Sequence, residues 1–116
     1  MKRELDKLSH RVVEYILTSD IKELATLSEE KIAKIFARNP VYISRKFKLE
    51  QNISIPQFIL REKIHRIVFA LDEDKDISIA ELSRRFGFLS MEQFDREFIN
   101  YLAIDPRKYK ELKAKK

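Results

Sequence analysis

The sequence contains no cysteine, which excludes disulfide bonds and thiol chemistry and leaves the redox compartment undefined. One glycine and three prolines among 116 residues leave few breakers, so an aliphatic-rich, highly charged chain of this kind is expected to be mostly helical. No apolar run is long enough to span a bilayer, and Met1-Lys2-Arg3 is not followed by the apolar stretch of a signal peptide. A soluble cytoplasmic protein with no membrane partner is expected. His10 and His65 are the only histidines, and neither has an acidic ligand cluster nearby. A glycine-rich phosphate loop is absent as well. Asp72–Asp76 (DEDKD) lacks the central glycine and terminal glutamate of a calcium loop, and reads as a solvated connector. Together these absences argue against an enzyme and against any metal or other cofactor.

What is present is positive charge, unevenly placed. The net charge is +5, which favours an acidic partner. Residues 38–48 hold Arg38, Arg45, Lys46 and Lys48 with no acid, and residues 105–116 hold six basic groups against two acidic ones. Between them, residues 51–104 hold seven basic and nine acidic groups. The middle of the chain is therefore slightly negative.

Helical periodicity organises the chain around Ile55–Leu71, with apolar residues at 60, 64, 67, 68 and 71, Ser54 and Gln57 as a capping box, and Pro56 in the first turn. Before it, residues 5–17 carry an apolar stripe, Ile21–Ala25 suggests a short helical turn, and Ser28 caps a helix running to about Ala37 with Ile32, Ala33 and Phe36 inward. After it, Ser78 caps IAELSRRF with Glu81 completing the box, Gly87 supplies a positive φ at the exit, and Ser90 caps Met91–Tyr101 with Phe94 and Phe98 inward. Asp105-Pro106 opens a last helix with Tyr109 and Leu112, followed by the basic tail Lys113–Lys116.

The two flanks repeat one another. Ile32, Ala33 and Phe36 recur fifty positions later as Leu82, Ser83 and Phe86; Asn39, Ile43, Arg45, Phe47, Ile53 and Phe58 recur fifty-one later as Ser90, Phe94, Arg96, Phe98, Ile104 and Tyr109. In the first copy, Asn39-Pro40 joins an N-cap to a residue suited to the first helical position, so a second helix begins after a tight turn. Ile43 and Phe47, with Tyr42 a further candidate, would form its inner side, and Val41, Ser44, Arg45 and Lys48 its outer face. This is a helix-turn-helix pattern whose second helix presents positive charge, suited to the major groove of double-stranded DNA. Arg38, Lys46, Lys48, Lys108 and Lys110 are the candidate phosphate contacts. In the second copy Glu92, Asp95 and Glu97 surround Arg96, which weakens non-specific attraction to DNA. An ordinary helical hairpin with a solvated basic face is the alternative for the first copy.

The order and spacing of SIAELSRRFGFLSMEQFDREF, the following IDPRKY, and the earlier NPVYISRKFKLEQNISIPQFILREKI resemble the DNA-binding domain of AraC/XylS-type transcription regulators over about residues 5–112. The resemblance implies an all-α fold of two helix-turn-helix lobes, homeodomain-like three-helix units, joined by a long central helix: lobe one about 5–53, linker helix 55–71, lobe two about 77–112, within one domain spanning 1–116. It implies sequence-specific DNA binding in transcription regulation, with one recognition helix per lobe in successive major grooves. By position, Val41, Tyr42, Ser44 and Arg45 match the family's base contacts in the first lobe, and Met91, Glu92, Asp95 and Arg96 those in the second. RNA polymerase subunits and a fused sensory or receiver domain are the further partners it suggests. Asn52 and Ala103 stand where the family usually has glycine, so a different second turn is expected at Ala103. The acidic second helix motivates an alternative, a protein-interaction module docking on a transcription partner with weak DNA binding.

Overall fold

A computed structural model describes residues 7–114. Among the described residues there are eight α-helices and no strand: α1 Leu8–Thr18, α2 Ile21–Thr26, α3 Glu29–Ile35, α4 Pro40–Gln51, α5 Ile55–Glu73, α6 Ile79–Arg85, α7 Met91–Leu102 and α8 Pro106–Ala114. They fall into two compact units that divide within α5, between Glu62 and Lys63. The start of the first apolar stripe, at Leu5, and the end of the tail, Lys115 and Lys116, lie outside the described residues.

Every helix but α1, whose N-cap Lys7 makes no side-chain cap bond, starts where a short polar side chain satisfies an otherwise orphaned N–H. The side chains of Asp20, Ser28, Asn39, Ser78 and Ser90 accept from backbone N–H groups in the first turns of α2, α3, α4, α6 and α7. Ser54 accepts from Gln57 N at 3.2 Å, and Asp105 from Arg107 N at 2.8 Å. The Ser78 box is one-sided, because the Glu81 carboxylate pairs with Arg85 one turn on instead of turning back. Gln93 does turn back, and accepts from Leu89 N at 2.9 Å.

In unit one, Val12 and Ile16 of α1, Leu24, Ile32, Ala33, and Ile43 and Phe47 of α4 are buried together with Ile55, Phe58 and Ile59 of α5. α1 and α3 both pack on α4. Phe47 and Phe58 meet edge to face at 5.8 Å. Phe36 is half-buried rather than fully inward, its ring meeting Tyr15 at 6.0 Å and the Arg11 guanidinium at 5.6 Å. Buried Ser9 accepts from the Gln51 side chain at 3.1 Å, which ties α1 to the end of α4.

Unit two buries Ile64, Ile67 and Leu71 of α5 with Leu82, Ser83, Phe86, Phe88, Phe94 and Phe98. Its core contains a chain of rings: Phe88 to Phe94 at 5.2 Å, Phe94 to Phe98 at 5.6 Å and Phe98 to Tyr109 at 6.0 Å. The stripe expected on α5 is thus only partly the buried one, since Leu60 and Val68 are half-buried while Ile55, Phe58 and Ile59 are buried in the first two turns. α5 also runs on through Asp72 and Glu73, which were expected in the connector. No breaker separates them from Leu71, and its 19 residues span roughly 28 Å at about 1.5 Å per residue.

The sequence repeat returns as a backbone repeat. After α3, Arg38 N donates to Ala33 O at 2.9 Å and Ala37 N to Lys34 O at 3.1 Å; after α6, Phe88 N donates to Ser83 O and Gly87 N to Arg84 O, both at 3.0 Å. These are two copies of one Schellman ending, and the left-handed residue is Ala37 (φ 54°) in the first and Gly87 (φ 83°) in the second. The exits of α4 and α7 match as well, through Asn52 (φ 63°) and Ala103 (φ 59°). The expectation of a different turn at Ala103 is corrected: alanine adopts the same left-handed conformation as asparagine, against an intrinsic penalty of about 1–2 kcal/mol. Ala103→Gly is therefore expected to raise the unfolding free energy by about 0.5–1 kcal/mol in urea denaturation, the relieved strain exceeding the entropy that glycine adds to the unfolded chain. Gly87→Ala is expected to lower it by about 1 kcal/mol. A destabilised Ala103→Gly chain would show that the position carries no such strain.

Candidate nucleic-acid interface

Burial of Ile43 and Phe47 leaves the opposite side of α4 facing solvent. Val41 is 59% exposed, Tyr42 50% and Leu49 82%. Together with Asn39, Arg45 and Lys46 they line a shallow groove along the helix. Arg45 and Lys48 are exposed, and their side chains make no hydrogen bond or ion pair among the described residues. Tyr42 does not contribute to the inner side, which Ile43 and Phe47 already fill, and Ser44, expected outward, is half-buried. Lys46 pairs with Glu50 at 3.3 Å, and the Arg38 guanidinium donates to Phe36 O at 3.0 Å while remaining exposed. Glu50 is the one acid on α4, and this pairing neutralises it.

α7 has the same framework and a different surface. Phe94 and Phe98 are fully buried, so Glu92 and Arg96 are exposed, and Arg96 has no partner among the described residues. Met91 is half-buried, its sulfur accepting from the Ser83 hydroxyl at 3.4 Å, so it packs against α6 instead of standing outward. Asp95 is half-buried and receives the Arg107 guanidinium at 3.1 Å. Arg107, the second residue of α8, also lies 3.7 Å from Asp105. One of the three acids around Arg96 is thus compensated by a cation from the next helix.

The basic residues of α8 are turned largely toward their own unit. Lys110 is half-buried and donates to Ile77 O at 2.6 Å, Lys113 lies 3.7 Å from Asp72, and Lys75 donates to Lys113 O at 3.0 Å. Lys108 pairs with Glu111 at 3.5 Å on the exposed side. The connector after α5 is accordingly not merely solvated, because α8 is fastened to it. Tyr109 completes the attachment by donating its hydroxyl to Asp72 at 2.9 Å. Burial, then the Asp72 carboxylate that accepts its proton, push the Tyr109 hydroxyl up to about 12.

Similarity to known proteins follows the same pattern. A family described as a helix-turn-helix domain matches residues 32–112. The multiple antibiotic resistance protein MarA of Escherichia coli K12 is 31% identical over 110 residues, 94% of this chain and 84% of that protein. The Msm operon regulatory protein of Streptococcus mutans is 31% identical over 86 residues, 74% of this chain and 31% of that protein. Among solved structures, the C-terminal domain of AraT, a response regulator from Geobacillus stearothermophilus, superposes with a TM-score of 0.82 at 23% identity, covering 95% of this chain and 88% of that one. A DNA-binding transcriptional dual regulator from Escherichia coli K-12 superposes with a TM-score of 0.79 at 20% identity over the whole of both chains. The chain belongs to the AraC/XylS family of helix-turn-helix regulators.

As an AraC-type regulator it binds double-stranded DNA sequence-specifically, acts in transcription regulation and is not an enzyme. Among the described residues no helix is long and apolar enough to cross a membrane, and no cluster of residues could hold a metal ion. Two features of the AraC-type surface escaped the sequence reading. The Asp95–Arg107 pair joins residues twelve apart on different helices, and no periodicity signals it. Leu49 could have been found, because it falls two turns after Val41 on the outward face.

The attachment of α8 gives the family fold a titratable link. With the folded hydroxyl of Tyr109 at about 12 and an unfolded one near 10, its stabilising contribution is complete below about pH 10 and is lost as pH rises toward 12. The stability difference between the wild type and Tyr109→Phe is expected to stay constant up to about pH 10 and then shrink, as measured by urea denaturation across pH. A difference independent of pH through 12 would show that Tyr109 is not held neutral by its surroundings.

Proposed function

We propose that α4 is the principal base-reading helix and α7 a weaker second reader, the two entering successive major grooves of one duplex. The observation that carries this reading is that Arg45 and Arg96, equivalent in the repeat, are both exposed and without partners among the described residues, on helices of unequal charge. Arg45 would donate two hydrogen bonds to guanine O6 and N7, with Val41, Tyr42 and Ser44 on neighbouring base edges. In the second lobe Arg96 reads in the same manner, and Glu92 accepts from cytosine N4. Asp95 and Met91 contribute through the placement of α7, since Arg107 and Ser83 already engage them. Lys48 holds a phosphate as it stands; Arg38, Lys46, Lys108 and Lys110 join it by releasing the Phe36 carbonyl, Glu50, Glu111 and the Ile77 carbonyl.

The same proposal includes cytoplasmic location, contact with RNA polymerase subunits, and control by a fused sensory or receiver domain. Exposed Phe69 and Leu89 in unit two offer apolar surface for a polymerase contact. The relatives support a fused domain: the matched region is about a third of the Streptococcus mutans regulator and the C-terminal domain of the Geobacillus one.

Arg45→Ala is expected to lose about 1–3 kcal/mol of preference at one base position, measured by binding to a panel of single-base variants of the preferred duplex. Lys48→Ala is expected to weaken all duplexes alike and to reduce the slope of log affinity against log salt by about 0.9. A uniform loss from Arg45→Ala, with base preference intact, would remove it as a reader and leave a phosphate contact.

A further inference from the structure

Tyr42, Arg45, Lys46 and Leu49 follow one another at the i, i+3, i+4, i+7 spacing by which a single helix face reads a major groove. Three of them are polar or charged. The fourth, Leu49, is an 82% exposed aliphatic side chain, and with Val41, 59% exposed two turns before it, it brackets the donors of Tyr42, Arg45 and Lys46. Burying such a side chain is favourable, and the groove along α4 shows that neither unit-one residues nor its own helix cover it. Its neighbours define what does: Arg45 and Lys48, whose side chains have no partner among the described residues, carry positive charge, and the only acid on the helix is paired with Lys46. An apolar group surrounded by cations matches the floor of the major groove, where the thymine 5-methyl is the apolar feature among acceptors and phosphates.

Resting on the reading of α4 as a base-reading helix, we infer that Leu49 is a further specificity-determining residue, which packs on a thymine 5-methyl group. Leu49 lies one turn beyond Arg45, about 6 Å along the helix, and base steps are about 3.4 Å apart. The thymine therefore stands one to two base pairs from the guanine that Arg45 reads. Val41, one turn before Arg45, addresses the other side of that guanine.

The test replaces each thymidine of the preferred duplex in turn by 2′-deoxyuridine, which removes the methyl and no hydrogen-bonding group, and measures binding of the whole chain. With the wild type, one replacement within two base pairs of the guanine is expected to lower affinity about four-fold, the effect of one buried methyl-sized group. With Leu49→Ala, thymidine and deoxyuridine at that position are expected to bind equally, while the guanine preference remains. Leu49 is too exposed for its truncation to unfold the lobe, and an unchanged thermal transition verifies this. If Leu49→Ala still discriminates deoxyuridine at that position, or the wild type discriminates at no thymidine near the guanine, the inference is overturned. Failure of the underlying reading is recognised separately, because Arg45→Ala would then alter no base preference at all.

Discussion

The burial of two side chains four residues apart on each recognition helix is the constraint on which the surface depends. Ile43 and Phe47 on α4, and Phe94 and Phe98 on α7, fix the rotation of each helix about its axis. A rotation would expose a phenylalanine, at about 1.5–3 kcal/mol for each large apolar side chain brought into water. With that rotation fixed, Arg45 and Arg96 face outward because they lie two residues before Phe47 and Phe98. The contact surface is thus set by the core behind it, and the outward residues are free to differ between the lobes.

They do differ, while the backbone does not. The left-handed exits at Ala37 and Gly87, and again at Asn52 and Ala103, place the turns at equivalent points of the two copies. Two of the four positions hold alanine, which resists this conformation, so the surrounding packing and the paired turn hydrogen bonds impose it. The second lobe carries more acid on its recognition helix and recovers part of the balance through Arg107. α8 supplies that cation, and its own attachment runs through Tyr109 and Lys113 to Asp72 and through Lys110 to Ile77. The α8 basic residues are therefore more structural than the composition of the tail suggests.

Much of this was legible in the sequence, for local reasons. Caps at Ser28, Asn39, Ser54, Ser78, Ser90 and Asp105 depend on residues within one turn, and the inward phenylalanines follow from helical period. What escaped depends on residues remote in sequence. Arg107 meets Asp95, Lys110 meets Ile77 and Met91 meets Ser83 only once the helices have packed. Tyr42 could be placed inside or outside by period alone, and the space taken by Ile43 and Phe47 decided it. The buried residues in the first two turns of α5 fall outside the stripe at 60, 64, 67, 68 and 71, because Ile55, Phe58 and Ile59 belong to the core of unit one and Ile64, Ile67 and Leu71 to that of unit two.

The central claim is that two equivalent helices read DNA unequally, α4 the more strongly. Selection of bound duplexes from a fully randomised library at near-physiological salt, with sequencing of the wild type and of the Arg45→Ala and Arg96→Ala chains, tests it most directly. The account predicts a dominant block of base preference erased by Arg45→Ala, and a weaker block about one helical turn, roughly 34 Å, away that is erased by Arg96→Ala. A dominant block that survives Arg45→Ala and disappears with Arg96→Ala would contradict it.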